Sequence, residues 1–202
     1  MLNEDDNWSI QNMGKSRYLT SEFEFDKEKF IQTKPDFFII NLGCVDAPPR
    51  EIPLWYSDII FKRKNLNFFK LANFIYLYII KKFFRRILIL IRFNKSWVNK
   101  ENFQINIKNI ISTLKDSCES KLIFIGINKG NQRIEKSLPG ILERYKAYNK
   151  ILEKVSIMEG TAFVDVSDLE SDKYFPDGIH YNVEGHKIIA QRLYQCIKIN
   201  NE

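Results

Sequence analysis

Three short runs of Ile, Val, Leu and Phe, each bounded by turn formers, limit what this chain can fold into: Asp36 to Leu42, Lys121 to Ile127 and Thr161 to Val166. Apolar runs of this length mark strands buried on both faces, the condition of a parallel sheet covered by helices. The intervening segments agree. Asn102 to Ser117, Gly140 to Met158 and Val183 to Ile199 repeat apolar residues near helical spacing, the last through Val183, Ile188, Ile189, Leu193 and Cys196. Strands alternating with helices predict an α/β domain with a parallel sheet. At 202 residues the chain can bury the core of one such domain, so a single domain over 1–202 is expected.

The stretch LANFIYLYIIKKFFRRILILIRF, Leu71 to Phe93, has the length of a membrane span but carries Lys81, Lys82, Arg85 and Arg86 at its centre. Each would cost about 2.5–3.5 kcal/mol there, so a span is rejected. Drawn as an α-helix, Lys70, Tyr78, Lys81, Arg85 and Arg92 form one stripe, with Lys82 and Arg86 on its shoulder and Phe74 and Leu88 interrupting it. The expectation is a basic, imperfectly amphipathic helical insertion at about 60–100, packed on the core with a solvated cationic face. An interfacial membrane helix or a surface for an acidic ligand are the alternatives.

Charge is uneven. Lys62 to Lys100 holds 11 of the 31 lysines and arginines and no Asp or Glu. Coulomb attraction alone lets such a patch meet an anionic membrane surface, an acidic glycan or nucleic acid; no recognition motif accompanies the cations, so nucleic acid is the weakest of the three and is not expected as a partner. Cys44, Cys118 and Cys196 are odd in number and lack CxxC spacing, which fits a reducing compartment and neither a disulfide framework nor a zinc site. The N-terminus, MLNEDDNWSI, is acidic where a signal peptide is basic. A cytoplasmic location is expected, with peripheral attachment to a membrane as one option.

Both histidines lie in FPDGIHYNVEGH. An imidazole titrates near neutrality and can take a proton from a hydroxyl and return it to a leaving group, so His180 is the candidate general base. Pro176 and Gly178 predict a turn before it, and Asn182 can cap the following helix. An aspartate three residues ahead, Asp177, can accept the ring N–H, fix the tautomer and stabilise the imidazolium. The bland alternative is that the two residues only close a loop. His186, inside the helix, reads as an ordinary surface or packing histidine. No metal site is legible and no cofactor is implied, because the two histidines lack further ligands at a recognised spacing.

Asp177-Gly178-Ile179-His180 ahead of a C-terminal helix resembles the last motif of the SGNH, or GDSL, hydrolases. KPDFFIINLGCVD resembles that family's third block, a strand ending in Gly-x-Asn-Asp, here Gly43, Cys44, Val45 and Asp46. RYKAYNKIL and TAFVDV occur where the family places a helix and a strand. More narrowly, GCVDAPPR is similar to a bacterial branch associated with surface polysaccharide genes. The resemblance spans nearly the whole chain. It implies a three-layer α/β/α fold with a flavodoxin-like parallel sheet and a serine ester hydrolase acting on an acylated small molecule or carbohydrate, a carbohydrate O-acetyl esterase being one form of that activity. His180 and Asp177 would be catalytic, Gly14 an oxyanion donor through its N–H, and Asp46 and Arg50 part of the substrate cleft.

Two departures stand against the match. The family's serine lies in a Gly-Asp-Ser motif at the end of the first strand, and that motif is absent here. Val45 replaces an asparagine whose side-chain N–H also binds the oxyanion; losing such a donor costs about 3–4 kcal/mol of transition-state stabilisation, and Arg50 would have to compensate. Among internal nucleophiles, Ser9, Ser16 and Ser117 sit on no tight strand-to-helix turn, and Cys44 reads more simply as a small buried residue. In the family's strand order, 2-1-3-4-5, the absent block is the central strand. The expectation is therefore an N-terminally incomplete, inactive member. The alternative is a non-enzymatic pseudoenzyme binding carbohydrate or membrane through the basic helix, with Trp8 to Asn12 or a partner filling the vacant slot.

Overall fold

A computed structural model describes residues 8–62, 71 and 73–201. Met1 to Asn7 and Lys70 of the predicted basic stripe lie outside the described residues. The three apolar runs form strands β1 (Phe37–Ile40), β2 (Lys121–Ile125) and β3 (Ala162–Val164). They pair in parallel in the order β1-β2-β3, with Phe38 opposite Leu122, Ile40 opposite Phe124, and Phe124 opposite Phe163. This is the expected α/β class with a parallel sheet, built of strands shorter than the apolar runs.

Around the sheet lie helices α1 (Phe23–Ile31), α2 (Leu54–Lys62), α3 (Arg85–Ile91), α4 (Lys100–Ser117), α5 (Gln132–Ser137), α6 (Ile141–Met158), α7 (Ser171–Tyr174) and α8 (Val183–Asn201). A π-helical segment, Tyr76–Phe84, runs directly into α3. Because side chains alternate along a strand, the sheet offers two faces to these helices. Phe38, Ile40, Leu122, Phe124 and Phe163 meet α4 and α6 in one core cluster. Phe37, Ile123, Ile125, Ala162 and Val164 meet Ile189, Leu193 and Ile197 of α8 in another. α4 forms because Asn99 caps it, accepting from the Asn102 N–H at 2.7 Å, and because Phe103, Ile107, Ile110, Ile111 and Leu114 recur on one buried face. Each such side chain contributes about 1.5–3 kcal/mol by leaving water.

Two expectations are corrected. Trp8 to Asn12 adopt no strand: Trp8 lays its ring 6.5 Å from Phe37, but no backbone ladder joins this segment to the sheet. Among the described residues nothing pairs with the outer edge of β1. The second correction concerns the basic helix. Two of its arginines turn inward, Arg85 towards Glu51 at 3.5 Å and Ser137 at 3.0 Å, and Arg92 onto the Arg50 carbonyl at 3.0 Å. Tyr76 donates to Glu51 at 2.5 Å from the same side. With polar groups anchoring the inner face, much of the apolar surface is left outside: Phe83, Ile87, Leu90 and Ile91 are all more than half exposed. Ile89 is fully buried in the main core cluster and Lys81, Lys82 and Arg86 are exposed, so the difference from the expected stripe lies in the inward turn of Arg85 and Arg92 and the outward turn of these apolar side chains. No described helix is long and apolar enough to cross a membrane.

Candidate active site

The strands end at one rim, and the loops that follow them build the site. After β2 the chain runs through Asn128 and Asn131, whose carboxamides hold the Asp177 turn. The Asn128 amide donates to the Ile179 carbonyl at 2.9 Å while its oxygen accepts from Gly130 N–H at 2.9 Å. Asn131 caps α5 at 3.1 Å and donates to the Phe175 carbonyl at 3.2 Å. The turn is closed from within by Gly178 N–H to Phe175 O at 2.7 Å, and Phe175 is fully buried against Tyr181. Gly178 has φ of 84°, and a methyl there would stand 2.5 Å from the Asn131 oxygen. Only glycine fits that geometry.

The turn aims Asp177 at His180. One carboxylate oxygen lies 2.6 Å from His180 Nδ1; the other accepts from the backbone N–H groups of His180 at 2.8 Å and Ile179 at 2.9 Å. Partial burial pushes the Asp177 carboxyl upward, but the His180 ring and these N–H groups together outweigh it and hold it at about 2. The imidazole is 79% exposed, and Nε2 has no partner among the described residues. Nδ1 facing a carboxylate and Nε2 open to solvent is the arrangement of a general base whose tautomer is fixed from behind. Asn182 caps α8 as the sequence suggested, accepting from Gly185 N–H at 2.9 Å, and His186 is exposed beside Tyr181.

The other candidate residues are placed differently. Asp46 lines no open cleft: it is wholly buried, and one carboxylate oxygen accepts from Thr20 N–H at 3.0 Å and from the Thr20 hydroxyl at 2.6 Å. Its second oxygen has no hydrogen-bond partner among the described residues, and burial raises its carboxyl above the ordinary range. Arg50 donates to the Val45 carbonyl at 2.7 Å and lies 4.0 Å over the Trp97 ring, and burial lowers it to about 10. Those contacts fix the loop after β1. Gly14 is exposed, and its N–H is taken by Asn12 Oδ1 at 2.9 Å. No hydrogen bond joins Gly14 to the Asp177–His180 pair among the described residues.

The possible nucleophiles fare no better. Cys44 is pushed up to about 11 by burial and the nearby Asp46 charge, so its thiol stays protonated at neutral pH. Ser117 ends α4 just before β2 begins, whereas the Asp177 turn hangs from Asn128 beyond the other end of that strand. A strand of that length separates them by about 15 Å. Ser16 lies exposed on a turn of the segment that precedes α1. The supporting asparagines, Asn128 and Asn131, were not foreseen; the Asn-Lys-Gly-Asn run after an apolar strand is the signal that carried them.

Solved structures share this architecture. An acetylxylan esterase from Geobacillus stearothermophilus superposes with a TM-score of 0.57 at 16% identity, over 91% of this chain and 69% of the esterase. A lipase/acylhydrolase from Enterococcus faecalis gives 0.57 at 15% identity, over 91% and 72%. A candidate GDSL-like lipase from Parabacteroides merdae gives 0.57 at 12% identity, over 91% and 70%. The chain has the fold of these hydrolases. Two structures of the acetylxylan esterase are of catalytic mutants, one at an aspartate and one at a histidine three residues further on, the spacing of Asp177 and His180. No protein-family model matches the chain, and no curated protein matches it.

Proposed function

We propose that this chain carries the acid–base half of an SGNH-type serine ester hydrolase site, directed at O-acyl groups on carbohydrate. The observation that carries the reading is the Asp177–His180 pair, with Nδ1 2.6 Å from the carboxylate and Nε2 turned to solvent. In the proposed reaction a serine hydroxyl attacks the ester carbonyl as His180 takes its proton through Nε2. The imidazolium, steadied by Asp177, then returns that proton to the departing alcohol, and water completes hydrolysis of the acyl-serine by the same route. The acetylated-carbohydrate specificity is suggested by the acetylxylan esterase that shares the fold, and the polysaccharide association by the GCVDAPPR run.

The nucleophile itself is proposed to come from outside these residues, on a strand that pairs with β1. The free edge of β1, the absence of Gly-Asp-Ser and the protonated Cys44 all favour this. As given, the chain should release no p-nitrophenol from p-nitrophenyl acetate above a His180→Ala control. Extending the coding region upstream to an in-frame strand ending in Gly-Asp-Ser should restore hydrolysis that His180→Ala abolishes. A chain active as it stands would place the nucleophile inside it. An upstream region without such a motif would leave the second reading, a non-enzymatic accessory protein, which the outward apolar face beside Lys81, Lys82 and Arg86 favours.

A further inference from the structure

The π-helical segment and α3 leave outside apolar side chains that a water-facing surface would normally bury. The inner side holds Ile89, fully buried in the core, together with Tyr76, Arg85 and Arg92, bonded to Glu51, Ser137 and the Arg50 carbonyl. The outer side holds Phe83 at 65% exposure, Ile87 at 54%, Leu90 at 60% and Ile91 at 64%. The cause is partly the backbone. In a π-helix the bonding runs from i to i+5, so side chains rotate away from the positions an α-helical wheel assigns them. Large apolar side chains exposed together along one helix in this way mark a contact site.

Lys81, Lys82 and Arg86 are exposed among these apolar side chains, and the sequence from Lys62 to Lys100 contains no acid to neutralise them. We infer that this helix lies on an anionic lipid bilayer, with Phe83, Ile87 and Leu90 entering the boundary between headgroups and acyl chains while Lys81, Lys82 and Arg86 meet lipid phosphates. The charges select this occupant. A second copy docked face to face would bring the same three cations against themselves, because a twofold contact opposes identical patches. Aliphatic Ile87, Leu90 and Ile91 gain nothing from a nucleic-acid backbone, whereas a bilayer rewards apolar burial and cation contacts together. Helix length and the central cations confine the segment to the interface. The inference does not depend on the ester chemistry, since none of these residues belongs to the Asp177–His180 site.

Co-sedimentation of the full chain with phosphatidylcholine vesicles, with and without 30% phosphatidylglycerol, tests it. Binding is expected to the anionic vesicles, at least tenfold stronger than to the neutral ones, and to weaken as salt rises. Each cation at an anionic surface contributes about fivefold in partitioning, so Lys81→Glu, Lys82→Glu and Arg86→Glu combined should weaken binding at least a hundredfold. Phe83→Ser with Leu90→Ser should also release the protein while its thermal unfolding stays cooperative and its far-ultraviolet spectrum unchanged. Failure to bind anionic vesicles would overturn the inference, as would binding indifferent to the three cations. Self-association abolished by Phe83→Ser with Leu90→Ser, without vesicle binding, would overturn it in favour of a contact between copies.

Discussion

The two nitrogens of His180 have separate environments, one against Asp177 and one against solvent, and the carboxylate reports that asymmetry. Asp177 titrates at about 2 because the ring and two backbone N–H groups favour its charged form. In His180→Ala the N–H bonds remain and the ring is lost, so Asp177 should titrate above the wild-type value, as followed by carboxyl carbon NMR. The linkage has a definite sign. A carboxyl lowered by folding stabilises the native state above its ordinary value near 3.8, and that stabilisation is lost as pH falls towards about 2. The acid limb of the stability curve should therefore be shallower in His180→Ala. Asp46 has the opposite sign: burial raises it, so the wild type loses stability as pH rises through the carboxylate range. Asp46→Asn keeps an oxygen for Thr20 and removes the buried charge. Its stability relative to wild type should improve as pH rises through the carboxylate range in urea titrations, and a difference that does not change with pH would refute the account.

The turn between α7 and α8 depends on one backbone position. Gly178→Ala forces a side chain into a left-handed conformation, costing about 1–2 kcal/mol, and drives it into Asn131 and Ile134, costing about 1–3 kcal/mol more. A urea midpoint lowered by the sum is expected; a shift within a few tenths of a kcal/mol would show that the turn can open. This glycine was legible as a turn former, and so was the Asp-x-x-His spacing, because both are local in the chain. The helices over 102–117, 140–158 and 183–199 were legible for the same reason: a buried stripe at helical spacing, as in Phe103, Ile107 and Leu114, leaves a period in the sequence. Tyr76–Phe84 escaped because its stripe presumed the α-helical period while its backbone follows another. The partners that turn Arg85 inward, Glu51 and Ser137, are distant in the chain, and no spacing encodes them. Asp46 was misplaced likewise, since its Thr20 partner lies 26 residues away.

Across the whole molecule the sheet has two edge strands, β1 and β3, among the described residues. β2 is covered on both sides and flanked by strands, whereas β1 exposes an unpaired edge among the described residues and leaves Ile39 45% exposed. Such an edge is adhesive. The chain should associate with itself as its concentration rises in sedimentation velocity runs, and Ile39→Lys should shift the boundary towards monomer; a monomer at every concentration would mean the edge is shielded. α8 adds a different consequence. It begins just after His180 at the rim and runs back along the sheet, until Lys121 at the opposite end of β2 donates to the Asn200 carbonyl. Its 19 residues cover about 28 Å. A linker fused behind Asn201 would thus leave from the pole opposite the imidazole, and a bead-bound or fluorophore-labelled version would still offer the rim that carries His180 to whatever flows past.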